Sequence, residues 1–551
     1  MCIRDRLIGL FLQHELSYDR YHAHADRIFR VVYQEEPNDR SSEMAITPEL
    51  LAPALKEHLP DIARIARLST SSYPRVVRVG QRRFHEERFF HADSSFFNLF
   101  SYRFLQGNPA LALMEPGSVV ITASTAQKYF PARNPMGQTL TYADKEYRVT
   151  GVIEDVPEVS HFHFDFLARL ESEDDQWFMY SAYTYVLLHP GADTEQVEEK
   201  LDRFVESTVK PQMRGGSYGR FRLQPLTRIH LYSNLRNEIE PNSDVRYLYI
   251  FAAVALVLLL VACINYVIIT TARSSERSQE VGVRKTFGAP RSELIRQFIG
   301  ESMLLTFAAL LLGLMVTGVS LPVLNNLTGL TLSLLAPGSV SLLGFGLVVI
   351  LLVGVIAGSY PAFYLSRFRP VYTLRDVPTG GITRFTLRKI LVVSQFTASI
   401  ALLIVSIVMY NQLDYLRSKP LGFDKEHIVI VSDRDRQLRS NYESFKHELA
   451  RDPRIRHVAA GHPPSNSGGM FVTYFAEDTQ EEVFLRIVHG DFDYPETLGL
   501  TFISGESFSE EKVTDSTTIN QTHPTPVSYT HLRAHETVLD LVCRLLLEKK
   551  K

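Results

Sequence analysis

Several short strings in this 551-residue chain carry residue types that could do chemistry. Gly215-Gly216-Ser217-Tyr218-Gly219 has the spacing of a nucleophile elbow. Such an elbow needs a strand running in and a helix leading out. MRGGSYGRFRL has a polar approach and a strand-like exit, so the string reads as a flexible loop. His161-Phe162-His163 could offer two imidazoles to a metal. With no third ligand nearby, two histidines at i, i+2 read as one solvated strand face. A phosphate-cradling loop needs a Gly-Lys pair, and none of the 30 glycines is followed by lysine. No H-E-x-x-H string occurs. Glu171, Glu173, Asp174 and Asp175 read as a solvated acidic loop, and residues 465–469 (SNSGG) as a flexible one. The 3 cysteines, Cys2, Cys263 and Cys543, are too scattered for a disulfide framework or a zinc site. Cys263, inside an apolar run, reads as a small buried hydrophobe. The chain offers no catalytic constellation, metal site or cofactor site of its own.

The polar segment that stands out is Arg273 to Ser302, RSSERSQEVGVRKTFGAPRSELIRQFIGES. It lies between two apolar runs, each long enough to cross a bilayer, which takes about 20 residues. Four spans are expected, at roughly 248–271, 299–323, 339–363 and 390–411. None has a charged residue in its central part, which weighs against a proton- or sodium-coupled carrier. The 273–298 link carries Arg273, Arg277, Arg284, Lys285, Arg291 and Arg296. The 365–389 link carries Arg367, Arg369, Arg375, Arg384, Arg388 and Lys389. The 324–338 link carries no Lys or Arg. The basic links therefore face the cytoplasm, and the large polar regions face away from it. The segment is helix-like up to a break at Gly288-Ala289-Pro290, and Glu280 and Arg284 are neighbours at helical spacing. In the spans, Asn265 can hydrogen-bond to a neighbouring helix or be a tolerated polar residue. Gly344, Gly346, Gly354 and Gly358 suit close packing.

The outer regions must be built of other elements. In 22–247, RIFRVVYQ, RVVRVGQRRF, GSVVITAS, KEYRVTGVIED and YTYVLLHP read as strands. PELLAPALKEHL, STAQKYF and TEQVEEKLDRFVESTV read as helices, and residues 134–137 (NPMG) as a turn. This is an α+β module with enough residues for its own core. In 413–525, HIVIVS and IRHVAAG read as strands and NYESFKHELARDP as a helix. There DFDYPETLGLTFISGESFS echoes ADSSFFNLFSYRFLQGNP of the first module. This is a weak internal repeat, and its second copy is partial. The net charge of −3 gives no reason to expect nucleic acid.

SERSQEVGVRKTFGAPRSELIRQFIGESMLL resembles the signature of the FtsX-like/MacB-like ABC transporter permease family. Arg277, Glu280, Val281, Gly282, Val283, Arg284, Lys285, Gly288, Ala289, Glu301 and Ser302 carry the match. HELSYDRYHAHADRIFRV, PNSDVRYLYIFAAVALVLLLVACINYV, SYPAFYLSRFRPVYTL and LRKILVVSQFTASIALLI are similar to other family segments, with Asn265, Pro361 and Pro370 at typical positions. Two departures stand out: Thr286-Phe287 replaces a more usual Ala-Leu, and Gly505-Glu506 a more usual Gly-Arg. The resemblance implies a transmembrane helical bundle with MacB-like periplasmic core domains, in the long variant with two of them. It implies no ATPase on this chain, with ATP and Mg bound by a separate cytoplasmic ABC ATPase. Coupling would fall on a helix at about 274–298. Asn265, Gly354, Gly358 and Pro361 would serve packing within the membrane.

The expected organisation is as follows. Residues 1–21 hold an artefactual start (1–6) and the remnant of a first span, 22–247 the first periplasmic domain, and 248–412 the permease region. Residues 413–525 are a partial second periplasmic domain. Residues 526–551 are an artefactual, adapter-like tail. A further span is expected upstream of Leu7 and three more beyond 525. The implied role is a bacterial inner-membrane exporter subunit acting on a periplasmic or outer-leaflet peptide, antibiotic or lipoprotein. Its partners would be the ATPase, a second permease in a homodimer or pseudo-dimer, the lipid bilayer, and a membrane-fusion adaptor with an outer-membrane channel. The alternative is a non-transporting receptor that regulates a cell-wall hydrolase or a sensor kinase.

Overall fold

The computed structural model describes residues 3–35, 43–70, 75–171, 177, 180–212, 219–272, 283–284, 287–330, 332–333, 344, 348, 351, 354–355, 359, 382–419, 423, 427–431, 441–461, 470–475, 482–487 and 490–500. The chain divides into two units, Met1–Leu403 and Ile404–Lys551.

The first unit begins with α1 (Ile3–Leu16), then β1 (Ile28–Gln34), β2 (Glu43–Met44), β3 (Thr47–Pro48), α2 (Leu51–His58) and β4 (Ile62–Thr70). There follow β5 (Arg75–Val79), β6 (Arg82–Glu86), β7 (Phe89–Ala92), α3 (Phe96–Leu99), β8 (Phe104–Gly107), β9 (Ser118–Thr122) and α4 (Ala123–Tyr129). Next come β10 (Thr139–Tyr142), β11 (Lys145–Ile153), β12 (Phe166–Arg169), β13 (Tyr180–Leu188), α5 (Thr194–Phe204), β14 (Arg220–Pro225) and α6 (Ile229–Tyr232). Three long helices are α7 (Val245–Ala272), α8 (Arg291–Thr328) and α9 (Ile382–Ser418), the last continuing past Leu403.

The strands form one mixed sheet in the order β14-β1-β13-β4-β7-β12-β9-β11-β10-β5-β6. Pairing is parallel at β7/β12 and β9/β11 and antiparallel at the other junctions along this order. β1 is buried along its whole length, as a strand covered on both faces must be. α2 and α5 cover one half of the sheet through Leu51, Leu55, Val197, Leu201 and Phe204. In α5 these apolar residues recur at helical spacing, and the Asp193 carboxylate caps its start by accepting from the Glu195 N–H. Over the other half Tyr129 of α4 packs with Val119, Ile121 and Tyr147. The opposite face of the sheet carries an aromatic core of Phe96, Phe100, Phe162, Phe164 and Tyr185, reached by Tyr185, Phe90, Val120 and Leu167, whose neighbours along each strand face the other two clusters.

The expected α+β module is present, with one correction of detail. RVVRVGQRRF is not one strand but the hairpin β5–β6, with Val79 opposite Arg82. Gly80, at φ 58, opens the two-residue turn. Alternation continues on both sides of it, so periodicity alone could not show the reversal. In the second outer region two expected strands do not form: HIVIVS over residues 427–431, and IRHVAAG, of which only Gly461 makes an isolated bridge, to Gly490. Val429, Ile430 and Val431 are exposed, and a strand exists only by pairing. The 134–137 turn stands as expected, with the Met136 N–H donating to Asn134 Oδ1 and Gly137 at φ 76.

In the second unit, α10 (Tyr442–Ala450), the hairpin β15 (Met470–Phe475) and β16 (Glu482–Ile487), and α11 (Tyr494–Thr497) follow one another. Taken by itself, this order repeats part of that in the first unit, where β4 and β7 also stand between α2 and α3. The local hydrogen bonds repeat too. The Asp93 N–H donates to the Arg67 carbonyl, and the Phe96 N–H to the Asp93 carbonyl. The Asp491 N–H donates to the Ala460 carbonyl, and the Tyr494 N–H to the Asp491 carbonyl.

Among the described residues, three helices are long and apolar enough to cross a membrane by length and composition: Val245–Ile269, Arg291–Thr328 and Lys389–Ser418. They overlap the segments expected as the first, second and fourth spans. The expected span at 339–363 lies largely outside the described residues.

Candidate coupling site

The charged segment emerges from the described residues only at its C-terminal end. Glu280, Val281, Gly282, Lys285, Gly358 and Pro361 lie outside them. Val283 and Arg284 are helical, and a defined stop follows. The Ala289 N–H donates to the Arg284 carbonyl at 3.1 Å, and Gly288 sits at φ 89. This is a helix end closed by a left-handed glycine, with Pro290 placed where the helix cannot continue. Pro290 then precedes α8, whose first turn carries Glu293. The Arg284 guanidinium donates to Gln297 Oε1, and Gln297 Nε2 to Glu301 Oε1. These contacts tie the end of the charged helix to the first turns of α8. Phe287, between them, is 87% exposed.

Within the spans, the Tyr266 hydroxyl of α7 bonds the buried Ser302 hydroxyl of α8. One turn on, Thr306 Oγ1 donates to the Ser302 carbonyl. A side chain on Gly354 would come within 3.2 Å of Thr306 Oγ1. Ser302 and Thr306 thus mark the face where α8 meets its neighbours. Asn265 lies on the exposed face of α7.

The domain is joined to the membrane-facing helices by two legs, residues 17–27 after α1 and residues 233–244 before α7. α1 packs against α7 and α8, with Phe11 edge-on to Phe251 and Leu10 against Leu321 and Leu332. At its end His230 Nε2 donates to Glu15 Oε2 at 2.9 Å, and the Tyr18 ring stacks on His230 at 3.3 Å. Asp19 is fully buried at φ 59. Its Oδ1 accepts from the His161 N–H and from His161 Nδ1, at 3.2 and 2.9 Å. The other imidazole nitrogen lies 2.8 Å from the Tyr185 hydroxyl. In the outgoing leg Glu240 accepts from the His163 N–H and from Nδ1, at 2.9 and 2.8 Å. Arg30, buried on β1, forks onto both oxygens of Glu238 at 2.6 and 2.8 Å. Burial alone would raise the Glu238 carboxyl, but the hydrogen bonds and charge of Arg30 outweigh it and hold the group below its ordinary range.

The sequence reading of His161 and His163 as a solvated strand face is corrected by this geometry. His161 is buried, each histidine takes a carboxylate of its own, and the two carboxylates come from different legs. No group of three metal-binding side chains occurs among the described residues. A signal was available in the carboxylates Glu15, Asp19, Glu238 and Glu240, which crowd the two ends of the module. Ser217 and its neighbours 213–218 lie outside the described residues, as do residues 172–176 and 465–469. Gly219 leads into β14, and its N–H donates to the Tyr33 hydroxyl.

Two family models match parts of the chain. Residues 7–204 match the MacB-like periplasmic core domain, and residues 252–370 match the FtsX-like permease C-terminal family. Among curated relatives, a macrolide export ATP-binding/permease protein MacB of Bdellovibrio bacteriovorus is 26% identical over 272 residues, 46% of this chain and 38% of that protein. The protein of the same name in Agrobacterium fabrum is 29% identical over 271 residues, 47% and 38% of the two chains. The chain thus spans about two fifths of the length of the curated relatives it matches. Among solved structures, a domain of a putative permease from Porphyromonas gingivalis aligns with a TM-score of 0.33 at 20% identity, over 40% of this chain and 95% of that one. The periplasmic region of MacB from Actinobacillus actinomycetemcomitans aligns with a TM-score of 0.28 at 14% identity, over 37% and 91%. A MacB-like core domain followed by an FtsX-like permease region, joined by the two legs, places this chain in the FtsX/MacB-like permease family of ABC transporters.

Proposed function

We propose that this chain is the permease subunit of a MacB/FtsX-type ABC transporter, and that it couples ATP hydrolysis by a separate cytoplasmic ATPase to movement of its periplasmic domains. It would sit as a multi-pass protein in the inner membrane of a bacterium and work as a homodimer or pseudo-dimer. Its substrate would be a periplasmic or outer-leaflet molecule of the peptide, antibiotic or lipoprotein class, and a membrane-fusion adaptor with an outer-membrane channel could complete the route. ATP and Mg belong to the partner subunit in this reading. The observation that carries it is the junction of the two matched families at a pair of legs anchored by hydrogen bonds to their carboxylates. The capped helix end at Gly288, tied to α8 through Arg284 and Gln297, supports a role for this segment in receiving the ATPase.

The test is co-purification of the full-length protein with the ATPase encoded beside it, with Glu280, Gly282 and Arg284 substituted one at a time. Loss of association and of stimulated hydrolysis is the expected result. If both persist unchanged in all three variants, the coupling assignment is wrong.

A further inference from the structure

The segment 157–163 holds both legs at once. The Val159 carbonyl accepts from the Asp19 N–H at 2.8 Å, and the Ser160 hydroxyl accepts from Tyr21 at 3.1 Å. His161 fixes Asp19 of the incoming leg, and His163 fixes Glu240 of the outgoing leg. Phe162, between the two histidines, is fully buried in the aromatic core, edge-on to Phe100 at 5.6 Å. The same stretch runs directly into β12, and His161 reaches β13 through the Tyr185 hydroxyl.

Each leg is also stiff. Neither 17–27 nor 233–244 contains a glycine. Each has one residue in the left-handed region, Asp19 at φ 59 and Asn237 at φ 61. A domain side chain pins each of them: His161 holds the Asp19 carboxylate, and the Tyr183 hydroxyl donates to the Asn237 carbonyl at 2.9 Å. A non-glycine residue persists in such a conformation where its surroundings over-determine it. Apolar packing alone would let a leg slide, whereas charge-assisted hydrogen bonds of defined direction fix its register. A loose linker would absorb a displacement of α1 against α7, and these legs have no slack to do so.

We propose that residues 157–163, together with Asp19 and Glu240, form a rigid joint that turns a relative displacement of α1 and α7 into movement of the periplasmic domain. The proposal rests on the permease reading above and names the positioning residues through which that reading would work. His161 and His163 act through the legs they hold and touch no substrate.

The test uses the full-length protein in lipid nanodiscs with its ATPase. Spin labels are placed at Tyr247→Cys, at the start of α7, and at Arg133→Cys, on the exposed turn after α4. The distance between them is measured with and without a non-hydrolysable ATP analogue. The wild-type background should show a nucleotide-dependent shift. Glu240→Gln and His163→Gln act on a partly exposed pair and should keep the fold and the stimulated ATPase rate while the shift is lost. His161→Gln should do the same if it folds. If it does not, the His163 and Glu240 variants decide. A full shift in both of those variants overturns the joint and leaves the permease reading intact. No shift and no ATPase association in the wild-type background overturns the permease reading, and the joint with it.

Discussion

Single side chains at the base of the domain set its acid stability. His22 is buried, and its Nδ1 accepts from the Ser101 N–H, so the ring must be neutral in the fold. Burial pushes its pKa down from 6.5 to about 4. The unfolded chain takes up a proton as pH falls through 6.5, and the folded chain does not until about 4. His22 therefore stabilises the fold fully above 6.5, and that contribution is lost on acidification between 6.5 and 4. At 1.36 kcal/mol per unit the loss is at most about 3 kcal/mol. His22→Gln should flatten the denaturant midpoint across that window, and superimposable pH profiles would sink the idea. A second prediction concerns Arg30, the largest fully buried side chain among the described residues. Glu238→Gln leaves its charge uncompensated and should cost about 3–5 kcal/mol of domain stability. Arg30→Met combined with Glu238→Leu should cost less than Glu238→Gln alone in the same melt, because no unpaired charge then remains.

Helix ends and turns show what the sequence could and could not tell. The stop at Gly288-Ala289-Pro290 was legible because a left-handed glycine followed by proline is a chemical signal local to three residues. The same holds for α4 and α5, whose caps and apolar spacing lie within one element. The β5–β6 reversal was not legible, since a single glycine in an alternating run fits a bulge as well as a turn. The pairing of His161 with Asp19 spans 142 positions and that of His163 with Glu240 spans 77. Only the closed sheet brings such partners together, so the string looked like a bare two-histidine face. Two glycines of the coupling region should respond to substitution with opposite sign. Gly288→Val forces a β-branched residue into φ 89 and should destabilise the helix end by about 1–2 kcal/mol. Gly300 lies inside α8 with no atom within 4 Å of an added Cβ, so Gly300→Ala should stabilise the helix by about 0.5–1 kcal/mol. Stimulated ATPase activity should fall in the first variant and hold in the second. Equal activity in the two would detach the Gly288 stop from coupling.

At the scale of the whole chain, two kinds of surface exclude each other. The module between the two legs buries its aromatic core and exposes charge. α7, α8 and α9 expose Leu256, Leu304, Met315, Val319 and Val408, a surface that water disfavours by roughly 25 cal/mol per Å² and lipid accepts. These helices should therefore resist extraction from membranes by alkaline carbonate. Direction is a separate matter, and charge decides it. The basic residues gather in the 273–298 and 365–389 links, while 324–338 has none. Arginine and lysine are retained on the cytoplasmic side, so Phe287 should face the cytoplasm and Arg83, on the β5–β6 hairpin, the opposite compartment. Both positions are exposed and tolerate a thiol probe. With Cys2, Cys263 and Cys543 replaced by serine, Arg83→Cys should react with a membrane-impermeant maleimide in intact spheroplasts. Phe287→Cys should react only after the membrane is opened. Labelling of both positions in intact cells would mean that the charge asymmetry does not set the orientation, and the coupling segment would then be on the wrong side to meet an ATPase.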